Sequence, residues 1–189
     1  SEPRAPRAAC INTPPPPTMG QTFTRTRRRF KNKKIVVLGP QGSGKTTLVA
    51  GLKYGFFVNT APTVSFECTS LPGKGLSLGF TVFDLGGSER NQVLWPNFYL
   101  NTSALIWVSK ASAPILEDMQ ILQEILDKEL ILQGLPLLVI LNADAPGDPT
   151  QVSAHLHVGE RPARVLCLDV RKDFDKLQEG LAWLDKTPS

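Results

Sequence analysis

The chain has 189 residues, enough for one domain with a sizeable core, and its 41% hydrophobic content is ordinary for a globular protein. Its net charge of +4 hides a division: residues 1–34 carry nine Lys/Arg against one Glu, whereas residues 35–189 carry twelve Lys/Arg against sixteen Asp/Glu. Three cysteines (Cys10, Cys68, Cys167) are too few and too scattered for a disulfide framework or a zinc site, no apolar run is long enough to span a bilayer, and the N-terminal region lacks the apolar core of a signal peptide.

Residues 1–33 read as a basic, Pro-rich arm with no packed structure, because the four prolines at 14–17 favour extended polyproline geometry. Met19 offers a natural start. From there "MGQTFT" fits Met-Gly-x-x-x-Thr, the N-myristoylation pattern, with Gly20 as acceptor. A myristoyl chain alone binds membranes only marginally, and "RTRRRFKNKK" supplies a polybasic second signal. Residues 20–34 are therefore expected to meet an anionic membrane surface from the cytoplasmic side, and no nucleic acid is expected. A solvated tail without a partner is the alternative.

Residues 34–189 alternate strands and helices. "KIVVLG" (34–39) is a short β-branched strand, and "KTTLVAGLKYG" (45–55) is a helix stopped by Gly55. "TVSFECTSL" (63–71) and "LSLGFTVFDL" (76–85) form an antiparallel hairpin, followed by the strand "ALIWVS" (104–109). The segment 114–132 is helical, with Ile115, Met119, Leu122 and Leu126 on one face. Strands follow at 135–142 and 164–170, and a closing helix over 173–186 carries Phe174, Leu177, Leu181 and Leu184 as its apolar stripe. Cys68 and Cys167 fall in strand-like runs and are expected as buried thiols. This order predicts an α/β fold built as a three-layer sandwich. Its sheet is mostly parallel and six-stranded with one antiparallel strand, and helices cover both faces.

"GPQGSGKTT" (39–47) fits Gly-x-x-x-x-Gly-Lys-Ser/Thr at every fixed position, between a strand and a helix. Gly39, Gly42 and Gly44 let the backbone curl so that its N–H groups point at phosphate oxygens, with Ser43 and Thr47 also expected among the nucleotide-binding residues. Lys45 reaches the β- and γ-phosphates, and the Thr46 hydroxyl is a Mg²⁺ ligand. Asp84, in "DLGG", is placed as the acid that holds Mg²⁺ through water, and Gly87 can offer its N–H to a γ-phosphate. Thr63, in "APT", supplies a second hydroxyl to the metal.

With "GPQGSGKTTL", "APTVSFE", "FTVFDLGGSERNQVLWPNFYLNTSALIWVSKAS" and "EGLAWL", the chain resembles the Arf/Arf-like small GTPases over about residues 34–186. The resemblance implies GTP/GDP and Mg²⁺ as ligands and two switch segments around Thr63 and Gly87. It also implies effectors that dock on the switch–interswitch face, exchange factors and activating proteins, and a monomer that works at membranes. In the family a sliding interswitch frees an acylated N-terminal segment; here that segment is basic rather than apolar.

Three positions depart from the family pattern. Ser88 stands where the family usually has the Gln that orients the attacking water, so intrinsic hydrolysis is expected to be weak or absent. Lys110 replaces an acidic residue after the fourth strand. The base-reading Asn-Lys-x-Asp is here Asn142, Ala143, Asp144, Ala145. Ala145 cannot accept hydrogen bonds from a guanine edge, at a cost of about 1–3 kcal/mol per lost bond. Asp144 lies one position early, and Arg171 or Lys172 in a later loop are candidates to stack on the ring. The expected function is an Arf-like GTP-binding switch with relaxed base preference and poor turnover. The alternatives are a pseudo-GTPase interaction scaffold and a P-loop ATPase or kinase.

Overall fold

The computed structural model describes residues 32–72, 79–111, 115–143, 152 and 156–188. Six strands, β1 (Lys33–Leu38), β2 (Phe66–Leu71), β3 (Phe80–Leu85), β4 (Ala104–Lys110), β5 (Leu137–Asn142) and β6 (Ala163–Leu168), form one sheet in the order β2-β3-β1-β4-β5-β6. All neighbours run parallel except β2, which pairs antiparallel with β3 from Phe66↔Leu85 to Leu71↔Phe80. The expected architecture is the observed one.

The central strands are apolar at consecutive positions because both faces are covered. In β1, Ile35 and Val37 face one core with Leu48, Val49 and Leu52 of helix α1 (Lys45–Tyr54) and Leu177, Leu181 and Leu184 of helix α4 (Phe174–Lys186). Val36 and Leu38 face the other core, against Met119, Leu122 and Leu126 of helix α3 (Ile115–Lys128) and against Trp95 and Tyr99. Both predicted helix stripes are thus core. Gly55 ends α1 in the left-handed region, its N–H donating to the Gly51 carbonyl.

Several expectations need correction. The 114–132 helix stops at Lys128, where Glu129 leaves helical geometry and a 3₁₀ turn (Leu130–Leu132) drives Leu132 into the core. The strand expected over 63–71 begins only at Phe66, because Thr63 is turned toward the phosphate loop. A short helix α2 (Glu89–Gln92) and a 3₁₀ turn (Trp95–Phe98) follow β3, in a stretch where the sequence pattern predicts no regular element. Cys68 is exposed rather than buried: β2 is an edge strand whose inner face is made by Thr69 and Leu71, leaving Cys68 and Ser70 outward. Cys167 is half-buried beside the second core.

The basic patch also loses two cations to the fold. Lys33 donates from Nζ to the carbonyls of Leu184, Asp185 and Thr187 at 2.8–3.0 Å, capping the C-terminal end of α4. Lys34 donates to the carbonyls of Phe98 and Leu100, and its ammonium lies 5.0 Å from the centre of the Phe83 ring.

Candidate functional site

The carboxyl ends of β1 and β3, the start of α1 and the 60–65 segment meet at a cleft of about 470 Å³ lined by Gly42, Lys45, Thr46, Thr63, Gly87 and their neighbours. This is the volume class of small-molecule sites. The loop from β1 to α1 begins at Gly39 with φ +141°, where a Cβ would run into the Val108 carbonyl, so no other residue fits. The first bond inside α1 is Leu48 N–H to the Gly44 carbonyl at 2.8 Å, and no side chain caps the helix. The amides of residues 45–47 therefore have no intrahelical acceptor at the cleft, the arrangement that receives phosphate oxygens.

Lys45 is 5% exposed and arches back over the loop, donating to the carbonyls of Gly39 (2.9 Å) and Pro40 (2.8 Å). Burial pulls its ammonium down to about 8, against the opposing pull of Asp84 and Asp118. A cation with so little solvent around it is well placed to attract phosphate oxygens.

The three predicted metal ligands converge. Thr46 and Thr63 share a hydrogen bond between their hydroxyl oxygens at 2.7 Å, and the Thr63 hydroxyl donates to Asp84 Oδ2 at 3.2 Å. Burial raises the Asp84 carboxyl above its usual range, with Thr46, Lys45 and Thr63 opposing. Asp84 Oδ1 is buried with no hydrogen-bond partner, as is Ser43 Oγ. Among the described residues no cluster of three or more His, Cys, Asp or Glu is available to a metal, so a cation here rests on hydroxyl, carboxylate and phosphate oxygens. Neighbouring oxygens around Mg²⁺ lie about 3 Å apart, which the Thr46–Thr63 separation matches, and the unpaired carboxylate oxygen supplies the charge. The donor set fits Mg²⁺.

Gly87 is pressed against the loop: a Cβ there would meet the Gly39 carbonyl oxygen, the Pro40 carbonyl carbon and Lys45 Nζ. Ser88 borders the cleft and starts α2, its carbonyl accepting from the amides of Asn91 and Gln92. A further hydroxyl pair, Thr47 with Thr60 at 3.1 Å, ties the 60–65 segment to α1. The sequence pattern singles out neither Thr60 nor Asn91, whereas Trp95 stands in "LWPNFY". The Trp95 indole N–H donates to the Gly86 carbonyl at 3.0 Å and holds the segment after β3 from below. Each of these contacts depends on tertiary approach, and only the Trp in "LWPNFY" carried a local signal.

On the base side, Asn142 is a bridge. Its Nδ2 donates to the Ser43 carbonyl at 2.9 Å and its Oδ1 accepts from the Val170 N–H at 3.3 Å. Ala143 follows it at the end of β5, and its N–H is bound to the Leu168 carbonyl. Arg171 is turned onto Asp169: its backbone N–H and Nε both donate to Oδ1, at 2.9 and 3.0 Å, and one terminal nitrogen donates to Oδ2 at 3.2 Å. Lys172 also pairs with Asp169, at 3.3 Å, and its N–H and that of Asp173 donate to the Asp169 carbonyl. Asp144, Ala145 and Gly20 lie outside the described residues.

A profile of the ADP-ribosylation factor family matches residues 19–187. The chain is similar to ADP-ribosylation factor K of Dictyostelium discoideum, with 36% identity over 115 residues; the match spans 59% of each chain, so it covers little over half of that relative's length. Among solved structures it is similar to the Arl6 BBS3 small GTPase from Trypanosoma brucei, solved with the bound nucleotide analogue GppNp. That match has a TM-score of 0.65 and 26% identity, over 81% of this chain and 95% of that one. With the phosphate loop, the two switch segments and the sheet order agreeing with a family match over most of its length, the chain belongs to the ADP-ribosylation factor family.

Proposed function

We propose that the chain is a GTP/GDP-binding switch that uses Mg²⁺, hydrolyses GTP slowly, reads its base weakly and presents its switch–interswitch face to effectors. The observation that carries this reading is the convergence of Thr46, Thr63 and Asp84 beside Lys45, with one Asp84 oxygen unpaired. Thr46, Thr63 and Asp84 would hold the Mg²⁺ ion, which supplies charge neutralisation to phosphate oxygens. Lys45 and the amides of 45–47 bind the phosphates, and the N–H of Gly87, which packs on the loop, is the donor to a γ-phosphate in this reading. Loss of the γ-phosphate removes the reason for Thr63 and Gly87 to stay inward, and the segments relax. Ser88 is too short to orient an attacking water as Gln does. Beside these segments Val64 (89% exposed), Phe66, Val93 and Leu94 stand open to solvent, which supports an effector-docking role for this face. Membrane attachment through acylated Gly20 and the arginines of the arm belongs to the same reading, and an unchanged vesicle association in a Gly20→Ala chain started at Met19 would reject it.

A second reading, a scaffold locked in one shape, is favoured by the switch segments being hydrogen-bonded to each other through the protein's own groups. Titration with labelled GTP, GDP and ATP, with and without Mg²⁺, separates the two. Triphosphate binding that tightens with Mg²⁺ supports the switch. Indifference to every nucleotide leaves the scaffold. Preference for ATP with turnover points instead to an ATPase or kinase.

A further inference from the structure

Asn91 lies in the four-residue α2, and its side chain leaves that helix and crosses to the other switch segment. Nδ2 donates to the Val64 carbonyl at 2.8 Å, and the amide packs on the Cα of Gly86, where a Cβ would collide with it. One rung away, the Gly86 N–H donates to the Ser65 carbonyl at 2.7 Å. The two bonds hold residues 64 and 65 against 86 and 91, and Asn91 itself borders the cleft beside Ser88. Val64 directly follows Thr63, whose hydroxyl faces Thr46 and Asp84. The carbonyl that Asn91 fixes therefore belongs to the residue that directly follows a candidate metal ligand.

We propose that Asn91 is a positioning residue: a side-chain strap that holds Thr63 inward over the phosphate end of the cleft and slows triphosphate release. The proposal rests on the nucleotide-switch reading for its second half, and on hydrogen bonding alone for its first. The strap uses no nucleotide and no metal, so it biases the protein toward the closed arrangement before any ligand arrives. A ligand that requires that arrangement gains affinity by the fraction already closed. A diphosphate, which does not call Thr63 and Gly87 inward, gains nothing from it.

The test uses the full chain and two variants. Asn91→Ala removes the strap. Asn91→Asp keeps its shape but sets a carboxylate against the Val64 carbonyl in place of a donor. The first readout is amide hydrogen exchange across residues 60–66 in nucleotide-free protein, compared with the core strands β1 and β4. Both variants should speed exchange in 60–66 by about two- to tenfold, the worth of one hydrogen bond, with β1 and β4 unchanged. The second is dissociation of fluorescent GTP and GDP with Mg²⁺: release of the triphosphate should speed by a similar factor, and of the diphosphate by less than about twofold. An Asp variant that matches the wild type in both readouts overturns the proposal, as does equal acceleration of both nucleotides. If the wild type binds no nucleotide while 60–66 still loosens in both variants, the strap stands and the nucleotide-switch reading falls.

Discussion

Gly87→Ala tests the closed arrangement at its tightest point. The added methyl would stand 2.5 Å from both Lys45 Nζ and the Pro40 carbonyl carbon, and closer still to the Gly39 carbonyl oxygen. The ammonium is the end of a flexible chain and can step aside. The two carbonyls are backbone, in a turn closed from behind by Val108. Ordinary carbon contacts need about 3.5–4 Å, so the 86–88 segment must retreat by about 1 Å or more. That movement strains the bonds from Gly86 to Ser65 and from Trp95 to Gly86. Overpacking of this kind costs about 1–3 kcal/mol, which disfavours the closed arrangement about five- to 150-fold. A ligand that needs closure carries the whole factor. In equilibrium titrations with fluorescent GTP and GDP in Mg²⁺, the variant should lose triphosphate affinity by that factor and keep diphosphate affinity within about twofold. Equal loss for both nucleotides, or no loss for either, would refute the geometry.

Other outcomes follow from single groups. The buried Lys45 ammonium titrates at about 8 instead of 10.5, and only the charged form attracts phosphate. Triphosphate affinity should be flat at lower pH and fall above about pH 8, approaching tenfold per pH unit, while Lys45→Met binds weakly with no such slope; affinities across the pH range measure this. Ser88→Gln supplies a water-orienting carboxamide and should speed single-turnover GTP hydrolysis by about tenfold or more; a variant no faster than the wild type refutes the proposal that Ser88 limits turnover. Asp169, held at about 2 by hydrogen bonds from Arg171, has a folded value below its ordinary 3.8. Its contribution to stability is therefore complete above about pH 5 and is lost as the pH falls through 2. Asp169→Asn should lower the denaturation midpoint at pH 7 and leave it nearly unchanged at pH 2.

What was legible in the sequence is what chain-local geometry determines. The strand, glycine turn and helix from Lys33 to Tyr54 are contiguous, and the motif carries its own structural context. That Thr63 and Asp84 meet at the cleft is legible because each lies at a short, recognisable stretch beside a strand. Charge and hydropathy read less well where the partner is distant in sequence. Lys33 and Lys34 read as part of the membrane-facing polybasic run, yet Lys33 caps a helix end 151 or more residues away. Cys68 looked buried because an apolar strand pattern does not say whether a strand is at the edge. Asn91 carried no signal, since its value comes from reaching a carbonyl 27 residues earlier.

The same distinction explains how the two ends of the site diverge. The phosphate end is made of backbone amides, a lysine and two hydroxyls, most of them from one continuous stretch, and changes there disturb the fold of β1 and α1 as well as binding. The base end depends on the side chains of separate loops. Asn142 persists in a segment that has Ala143 beside it, and its bonds give a reason: it joins the Ser43 carbonyl to the Val170 N–H. Its loss would loosen the phosphate loop whatever base were bound, so its presence argues for an intact phosphate grip and says nothing for guanine. The loop after β6 points the same way. The N–H groups of Val170, Arg171, Lys172 and Asp173 are all committed to Asn142 or Asp169. A base entering there would find those backbone donors occupied and the Arg171 fork turned onto Asp169. On the proposed switch reading the ring therefore contributes little to binding, and because GTP and ATP share ribose and triphosphate their affinities should be similar; a strong preference for either in competition titrations would refute this.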